Sequence, residues 1–496
     1  MSRSLPPRPN LDHLKNEAKA LLKTLRAQHP DVKLTDAQRQ LAREYGFPNW
    51  AELRAKVLSW STDAGKPTVN RVLTAIQNQD LDAAMEILKA HPGALSNIHV
   101  AAALTSLASV IEALAAHPEL VNEPGGDPGA SPLLYACFTP RLKNPEWQIV
   151  QEQIVRVLLE AGADPNARGG RYGVPALYGV TGMHNAPGIA RLLLEAGANP
   201  TDGESVFHAA ERFHEEALEL LWEFGVKLNF VGEWGNTPLY FLLRWYDMAK
   251  DHQAAKGLDW LLSKGADPNV ACGPERENSL HVAVRRGQPL ATIQRLLDHG
   301  ADVDLRRADR ATAWLLARRA GYVEIAELLE RSGARREALS PADELLSACG
   351  RGDAELAAKL SSPTLVASLE PSERLMLNEA ASAGRGPVVS ACIAAGFDVN
   401  QINDRGATAL HEAAINGYSE IVRSLLRAGA DHRVKDPHHQ STAMGWAQFG
   451  ADFVQDPEGR YEDTVRALLT AGAEVRGDEH VAAHEGVRAV IEGTRD

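Results

Sequence analysis

An all-α solenoid built from stacked pairs of short helices is the fold this sequence predicts, and three observations predict it. Nine glycines, at positions 162, 197, 225, 265, 300, 333, 396, 429 and 472, close the phrase Leu-x-x-Gly or a near variant. Their spacings run from 28 to 43 residues apart from one gap of 63, so a period near 33 recurs along most of the 496-residue chain. Between them the apolar residues fall in two short helix-period stretches per repeat, with no long strand alternation. Two such helices cannot bury their apolar faces alone and must stack on copies of themselves. A solenoid grows without a central core, so the length does not require several globular domains.

The most regular repeat, residues 404–436, reads DRGATALHEAAINGYSEIVRSLLRAGADHRVKD. Thr408 can cap a helix by accepting from a free amide of the first turn. Leu410, Ala413 and Ala414 follow at helical spacing, and the alanines keep that face thin. Gly417 stops the helix, because glycine reaches the left-handed conformation cheaply. Ser419 and Glu420 open a second helix, on which Ile421, Val422, Leu425 and Leu426 form an apolar stripe. Gly429 ends it.

Weaker copies keep parts of the phrase: Ser131-Pro-Leu-Leu134, Ser205-Val-Phe-His208, Asn236-Thr-Pro-Leu-Tyr240 and Asn278-Ser-Leu-His281. On these residues the chain resembles the ankyrin repeat, departing at Ala409 where the family usually has proline. The resemblance implies a helix–turn–helix–hairpin unit, about twelve of them here. It also implies that His208, His281 and His411 are structural, tied to the capping residue and the neighbouring backbone. Tyr240 and Asn378 at the equivalent place agree with that role.

In chain order, residues 1–60 are expected to form a basic three-helix module. Leu14, Ala18, Leu21, Leu22 and Leu25 share one face; Thr35-Asp-Ala-Gln38 reads as a capping box for a second helix through Glu44; Asn49-Trp-Ala-Glu52 caps a third. The phrase Leu41-Ala-Arg-Glu-Tyr-Gly-Phe-Pro-Asn-Trp50 is similar to a small module found ahead of ankyrin stacks in bacterial proteins. It can cap the first repeat or serve as a partner- or nucleic-acid-binding head. Repeats then run through 69–335, with Ala-His-Pro turns at 90–92 and 116–118 in the first, degenerate units. Residues 336–371 keep helix signals, including the start Ser340-Pro341, but lack a hairpin phrase, so the stack is expected to bend or split there. Repeats resume over 372–475, and 476–496 is expected to be a helical cap. Three repeats are overlong between their helices, around 139–152, 245–257 and 448–462, and hold Trp147, Trp245, Tyr246, Phe449, Phe453 and Tyr461.

The chain carries 52 Lys and Arg against 65 Asp and Glu, a net charge of −13. Residues 1–60 have eleven basic and six acidic residues, or +5, which leaves −18 for the rest. An acidic stack is a poor binder of a nucleic-acid backbone. The N-terminus has no apolar signal region, and no run is long and apolar enough to span a membrane. The four cysteines, Cys137, Cys272, Cys349 and Cys392, are scattered without metal or disulfide spacing. A cytoplasmic, reduced protein is expected.

No phosphate-loop lysine motif, Gly-x-Ser-x-Gly elbow or His-Glu-x-x-His is present. His480 and His484 stand four apart but lack a third ligand, and His438-His439 reads as a turn. The glycines at 169, 170 and 173 lack the buried strand that a phosphate cradle needs. No cofactor, metal or catalytic residue is expected. The function that the resemblance implies is a non-catalytic scaffold or adaptor binding another protein through the concave face and hairpin tips. Two other classes remain open: an enzyme with a pocket formed by the insertions, and a regulator touching nucleic acid through residues 1–60. Arginine and large aromatics dominate interface energies, so the expected partner-binding residues are Arg168, Arg171 and Tyr172, Phe230 and Trp234, and Arg306, Arg307 and Arg310, all in hairpin tips.

Overall fold

The computed structural model describes residues 33–45, 68–127, 129–170, 173–403, 405–456, 458–475 and 484–493, with positions 17–19, 21, 22, 25, 50 and 53 besides. It is mostly helical, and the chain forms two compact units, Met1–Lys227 and Leu228–Asp496. Among the described residues there are twelve helix pairs, each an inner helix followed by an outer one.

The first unit opens with the helix Leu34–Glu44, which starts two residues earlier than the capping-box reading placed it. Asp36 rather than Gln38 reaches back, its carboxylate accepting from the Lys33 amide at 3.1 Å. Ala18, Leu41, Ala42, Tyr45 and Leu53 form a small core of their own. The third helix start at Asn49 lies outside the described residues. Five pairs follow, from Thr68–Gln77 with Leu81–Ala90 to Ser205–Arg212 with Glu215–Glu223.

The second unit contains seven pairs, from Pro238–Trp245 with His252–Ser263 to Ala443–Phe449 with Tyr461–Thr470, then the terminal helix Glu485–Glu492. Residues 341–360 form a regular pair, Pro341–Gly350 and Ala354–Leu360, and the short helices Pro363–Ala367 and Pro371–Arg374 take the place of a hairpin. At its C-terminal end the inner helix of that pair meets its predecessor at close backbone range. A Cβ on Gly350 would lie 2.4 Å from the Ala320 carbonyl carbon and the Arg319 oxygen.

Local sequence explains the pairs. All nine phased glycines take φ between 80° and 97°, a region that costs other residues Cβ strain. In the repeat at 404–436, Leu410, Ala413, Ala414, Val422 and Leu425 are essentially inaccessible to water. Each buried leucine contributes about 2 kcal/mol by removing apolar area from water, and the alanines admit the next inner helix. Asparagine at the repeat end ties neighbours together. Asn269 donates to the Gly300 carbonyl at 2.8 Å and accepts from the Asp302 amide at 2.8 Å, and Asn166 does the same with Gly197 and Asn199. Side chains from one repeat also satisfy helix-end carbonyls of the one before, which would otherwise lack donors. Thr139 donates to Ala103, Gln151 to Ala102, and Gln288 to Leu243 and Tyr246.

The overlong connections are accommodated in three ways. The first becomes a 3₁₀ turn, Pro140–Lys143, and extra N-terminal turns of Pro145–Glu160. The second is the loop 246–251 pinned by Gln288, and the third a π-helical turn, Gly450–Val454.

Candidate binding surfaces of the two repeat units

The structural role expected for the repeat histidines holds at two positions. His411 Nδ1 lies 2.9 Å from the Thr408 hydroxyl, and its Nε2 faces the Ser441 carbonyl. His281 Nδ1 accepts from the Asn278 amide and its Nε2 lies 3.0 Å from the Leu305 carbonyl. Burial pushes both below the ordinary histidine range. His208 departs from this pattern. In its repeat the buried place belongs to Phe207, one position earlier, so His208 sits between Glu204 at 3.4 Å and Glu211 at 2.5 Å. Burial opposes its protonation, but the two carboxylates outweigh that and push its pKa up to about 9.

In the first unit Phe138 packs on Tyr178 at 5.9 Å between ring centroids, and Tyr178 on His208 at 4.9 Å, giving an aromatic row across three inner helices. Arg168 stands in the hairpin that pairs Arg168–Gly169 with Val174–Pro175. Its guanidinium donates to the Gly173 carbonyl at 2.9 Å and to Asp202 of the next repeat at 3.1 Å. It borders a depression of about 460 Å³ lined also by Asn122, Gly129, Ser131 and Asp164. Arg171 and Tyr172 lie outside the described residues.

In the second unit the hairpin tips run in a row. The Gly273 amide donates to the Gly235 carbonyl at 3.0 Å, and the Ala308 amide to Glu275 at 2.9 Å. Trp234 is 79% exposed and Phe230 half-buried. Arg306 is exposed and pairs with Glu337 at 3.0 Å, while donating to the carbonyl of the exposed Arg310. Arg307 corrects the sequence expectation of an exposed tip residue. It is 9% exposed and turned inward, its Nη1 2.6 Å from Glu277. Adjacent residues in a tight turn point in opposite directions, so Arg306 and Arg307 belong to different environments.

Glu277 is the centre of that environment. It is buried and accepts from Tyr240 at 2.9 Å, from Arg285 Nε and Nη2 at 2.9 Å each, and from Arg307. Burial disfavours the carboxylate, but Arg285 and Arg307 outweigh it and hold its pKa below the usual range. Burial and the adjacent Glu277 push the Tyr240 phenol up to about 12.

Arginines recur at the C-terminal turns of successive inner helices in this unit, at Arg244, Arg285, Arg286 and Arg319, and Arg385 follows the Met376–Ser382 helix. Three are neutralised or engaged. Arg285 pairs with Glu277, and Arg319 pairs with Asp343 at 2.6 Å and Glu373 at 2.9 Å. Arg385 donates to the Ala320 and Gly350 carbonyls at 2.9 and 2.8 Å and to the Tyr322 hydroxyl at 3.1 Å. Arg244 and Arg286 are exposed and form no hydrogen bond or ion pair among the described residues; the Arg244 guanidinium lies 5.2 Å from the Trp245 ring.

Glu379 is exposed and likewise unpaired among the described residues. The surrounding protein pushes its carboxyl above the usual range, against the pull of Arg285 and Arg286. Two inner helices, Ala313–Arg319 and Pro341–Gly350, intervene in the chain between these arginines and Glu379. Sequence reasoning missed this row, although Arg-Arg-Gly at 285–287 places the basic pair just before a helix-ending glycine.

The remaining motifs are structural or outside the described residues. Asp436 accepts from the His438, His439 and Ser441 amides and from Trp446 Nε1, closing the turn expected there. His484 accepts from the Val487 amide as a helix cap, and His480 is outside the described residues. Among the described residues no helix is long and apolar enough to cross a membrane.

Comparison with known proteins agrees with this architecture. The family model "Ankyrin repeats (3 copies)" matches residues 246–337, 345–436 and 377–479, and the model "Ankyrin repeat" matches 129–170. The chain is 37% identical over 128 residues to Ankyrin repeat and SOCS box protein 16 of Homo sapiens, covering 25% of this chain and 26% of that one. It is 28% identical over 305 residues to the E3 ubiquitin-protein ligase KEG of Arabidopsis thaliana, covering 54% of this chain and 18% of that one. It therefore spans about a quarter or less of the length of these two relatives. Cyclin-dependent kinase 4 inhibitor B of Rattus norvegicus is 35% identical over 97 residues, 18% of this chain but 71% of that one. With twelve helix pairs, phased left-handed glycines and these matches, the chain belongs to the ankyrin-repeat family.

Proposed function

We propose that this protein is a non-catalytic scaffold that binds another protein on the concave side and hairpin tips of its second unit, in the cytoplasm. The carrying observation is that Arg244, Trp245 (59% exposed) and Arg286 stand in the last turns of inner helices without a role in holding the stack. Arginine and tryptophan are the types most enriched at interface hot spots. The name of the kinase inhibitor among the relatives supports a binding role. The ligase name belongs to a protein of which this chain matches 18%. We place the basic head, residues 1–60, as a polar end to the stack. Its removal is then expected to cause aggregation, and a soluble truncation with an unchanged melting curve refutes that assignment.

The scaffold role is tested by affinity capture with the full chain, followed by hydrogen-exchange footprinting of the recovered complex. Protection is expected on 238–245, 279–286 and the tips near Trp234, with about tenfold or greater weakening for Trp245→Ala. A footprint confined to the outer helices Leu290–Asp298 and Val323–Arg331 refutes the concave assignment.

A further inference from the structure

We propose that the concave face of the second unit takes a protein segment bearing two acidic side chains three residues apart, seated on Arg244 and Arg286. This rests on the protein-binding role proposed above and names the partner's chemistry. The two arginines close the last turns of neighbouring inner helices, Pro238–Trp245 and Ser279–Arg285. Of the other arginines at the inner-helix ends, Arg285, Arg319 and Arg385 are engaged by Glu277, Asp343, Glu373 or helix-end carbonyls, and the exposed Arg351 lies two inner helices further along the chain. Neither Arg244 nor Arg286 forms an ion pair among the described residues, in a chain of net charge −13. Arg285 and Arg244 gather like charge around Arg286, offset in part by Glu379.

The spacing follows from packing geometry. Axes of packed helices lie about 8–10 Å apart. A polyproline-II segment repeats every three residues and rises about 3.1 Å per residue, so positions i and i+3 share a face about 9 Å apart. An acidic pair at i and i+3 therefore matches one arginine on each of two adjacent inner helices. The acidic stack repels a nucleic acid.

The test uses the full chain and fluorescein-labelled twelve-residue peptides of Pro, Ala and Ser carrying Glu at i and i+3, read by fluorescence anisotropy. The Glu peptide is expected to bind. Replacing both Glu by Gln, or introducing Arg244→Glu or Arg286→Glu, is expected to weaken binding at least about tenfold, as for loss of a charge-assisted contact. Arg331→Glu, exposed on the outer helix Val323–Arg331, is expected to leave it unchanged. Both concave positions are exposed, and the neutral Arg286→Gln, expected to weaken binding in the same direction, guards against a folding defect in the charge reversal. Failure of the Glu peptide to bind, or binding indifferent to both charge reversals, overturns the proposal. So does equally tight, arginine-dependent binding of (dT)20, which assigns the row to nucleic acid. A captured protein that is lost with Trp245→Ala, yet holds unchanged on the Arg244→Glu, Arg286→Glu double variant, overturns this inference while the scaffold role stands.

Discussion

Replacing Glu277 by Gln tests whether the second unit is stitched together through one buried charge. The substitution keeps the volume and removes the carboxylate that accepts from Tyr240, Arg285 and Arg307, side chains of three successive repeats. Removing one partner of a buried ion pair typically costs about 3–5 kcal/mol, because the remaining charge stays desolvated. The lower end applies here: the Arg285 side chain is 30% exposed, and Arg307 keeps Asp309 at 3.2 Å. About 3 kcal/mol is then expected. Unfolding entropy near 2.1 cal/mol/K per residue, over a unit of roughly 270 residues, gives about 0.6 kcal/mol/K and a fall in Tm of about 5 °C if the unit melts together. The assays are calorimetry and hydrogen exchange, with protection lost first around 272–286 and 305–312. The pH dependence has a fixed sign. The folded pKa of Glu277 lies below its unfolded value near 4.3, so its stabilisation is complete above that value and is lost as pH falls through the folded pKa. The gap between wild type and Glu277→Gln should be constant from pH 7 to about 5 and narrow below about 4. Arg307→Ala should destabilise comparably, and the exposed Arg306→Ala by under about 0.5 kcal/mol. A Tm change below about 1 °C for Glu277→Gln, or a gap that widens in acid, would refute the reasoning.

Arg385→Ala removes a guanidinium that joins the Ala313–Arg319 and Pro341–Gly350 helices from the following repeat, and should cost about 2–3 kcal/mol given typical charged hydrogen-bond values. Unfolding of the regions before and after residues 336–371 should then separate into two calorimetric steps; one transition at the wild-type temperature shows that Arg385 does not couple them. Arg385→Lys should recover little, because an ammonium lacks the planar fork that serves three acceptors at once. The peptide, capture and truncation experiments described above complete the set.

Much of the stack was legible in the sequence because its determinants are short-ranged. The nine glycines sit where the chain must adopt positive φ, and only glycine does so cheaply. The alternation of alanine pairs and leucine stripes marks inner and outer helices within one repeat, as at Ala413, Ala414, Val422 and Leu425. His281 and His411 bond to residues three positions away and to the next hairpin, so their role followed from the phrase. The placement of His208 was not legible, because its repeat lacks the capping Thr that sets the register, and Phe207 takes the inward place.

The candidate surface lay mostly beyond reach of such local rules. That Arg306 faces solvent while Arg307 is buried depends on how one hairpin meets the carboxylate of Glu277 thirty residues earlier. That Arg385 reaches Ala320 and Gly350 depends on how several repeats stack. Curvature accumulates from small rotations at every joint, and each rotation is set by side-chain volumes on two repeats at once. The sequence by itself determined the repeat, its helices and its turns, because neighbours a few residues apart decide them. Only the tertiary structure decided which charges are spent on holding the stack and which are left for a partner, because that depends on distances between residues far apart in the chain.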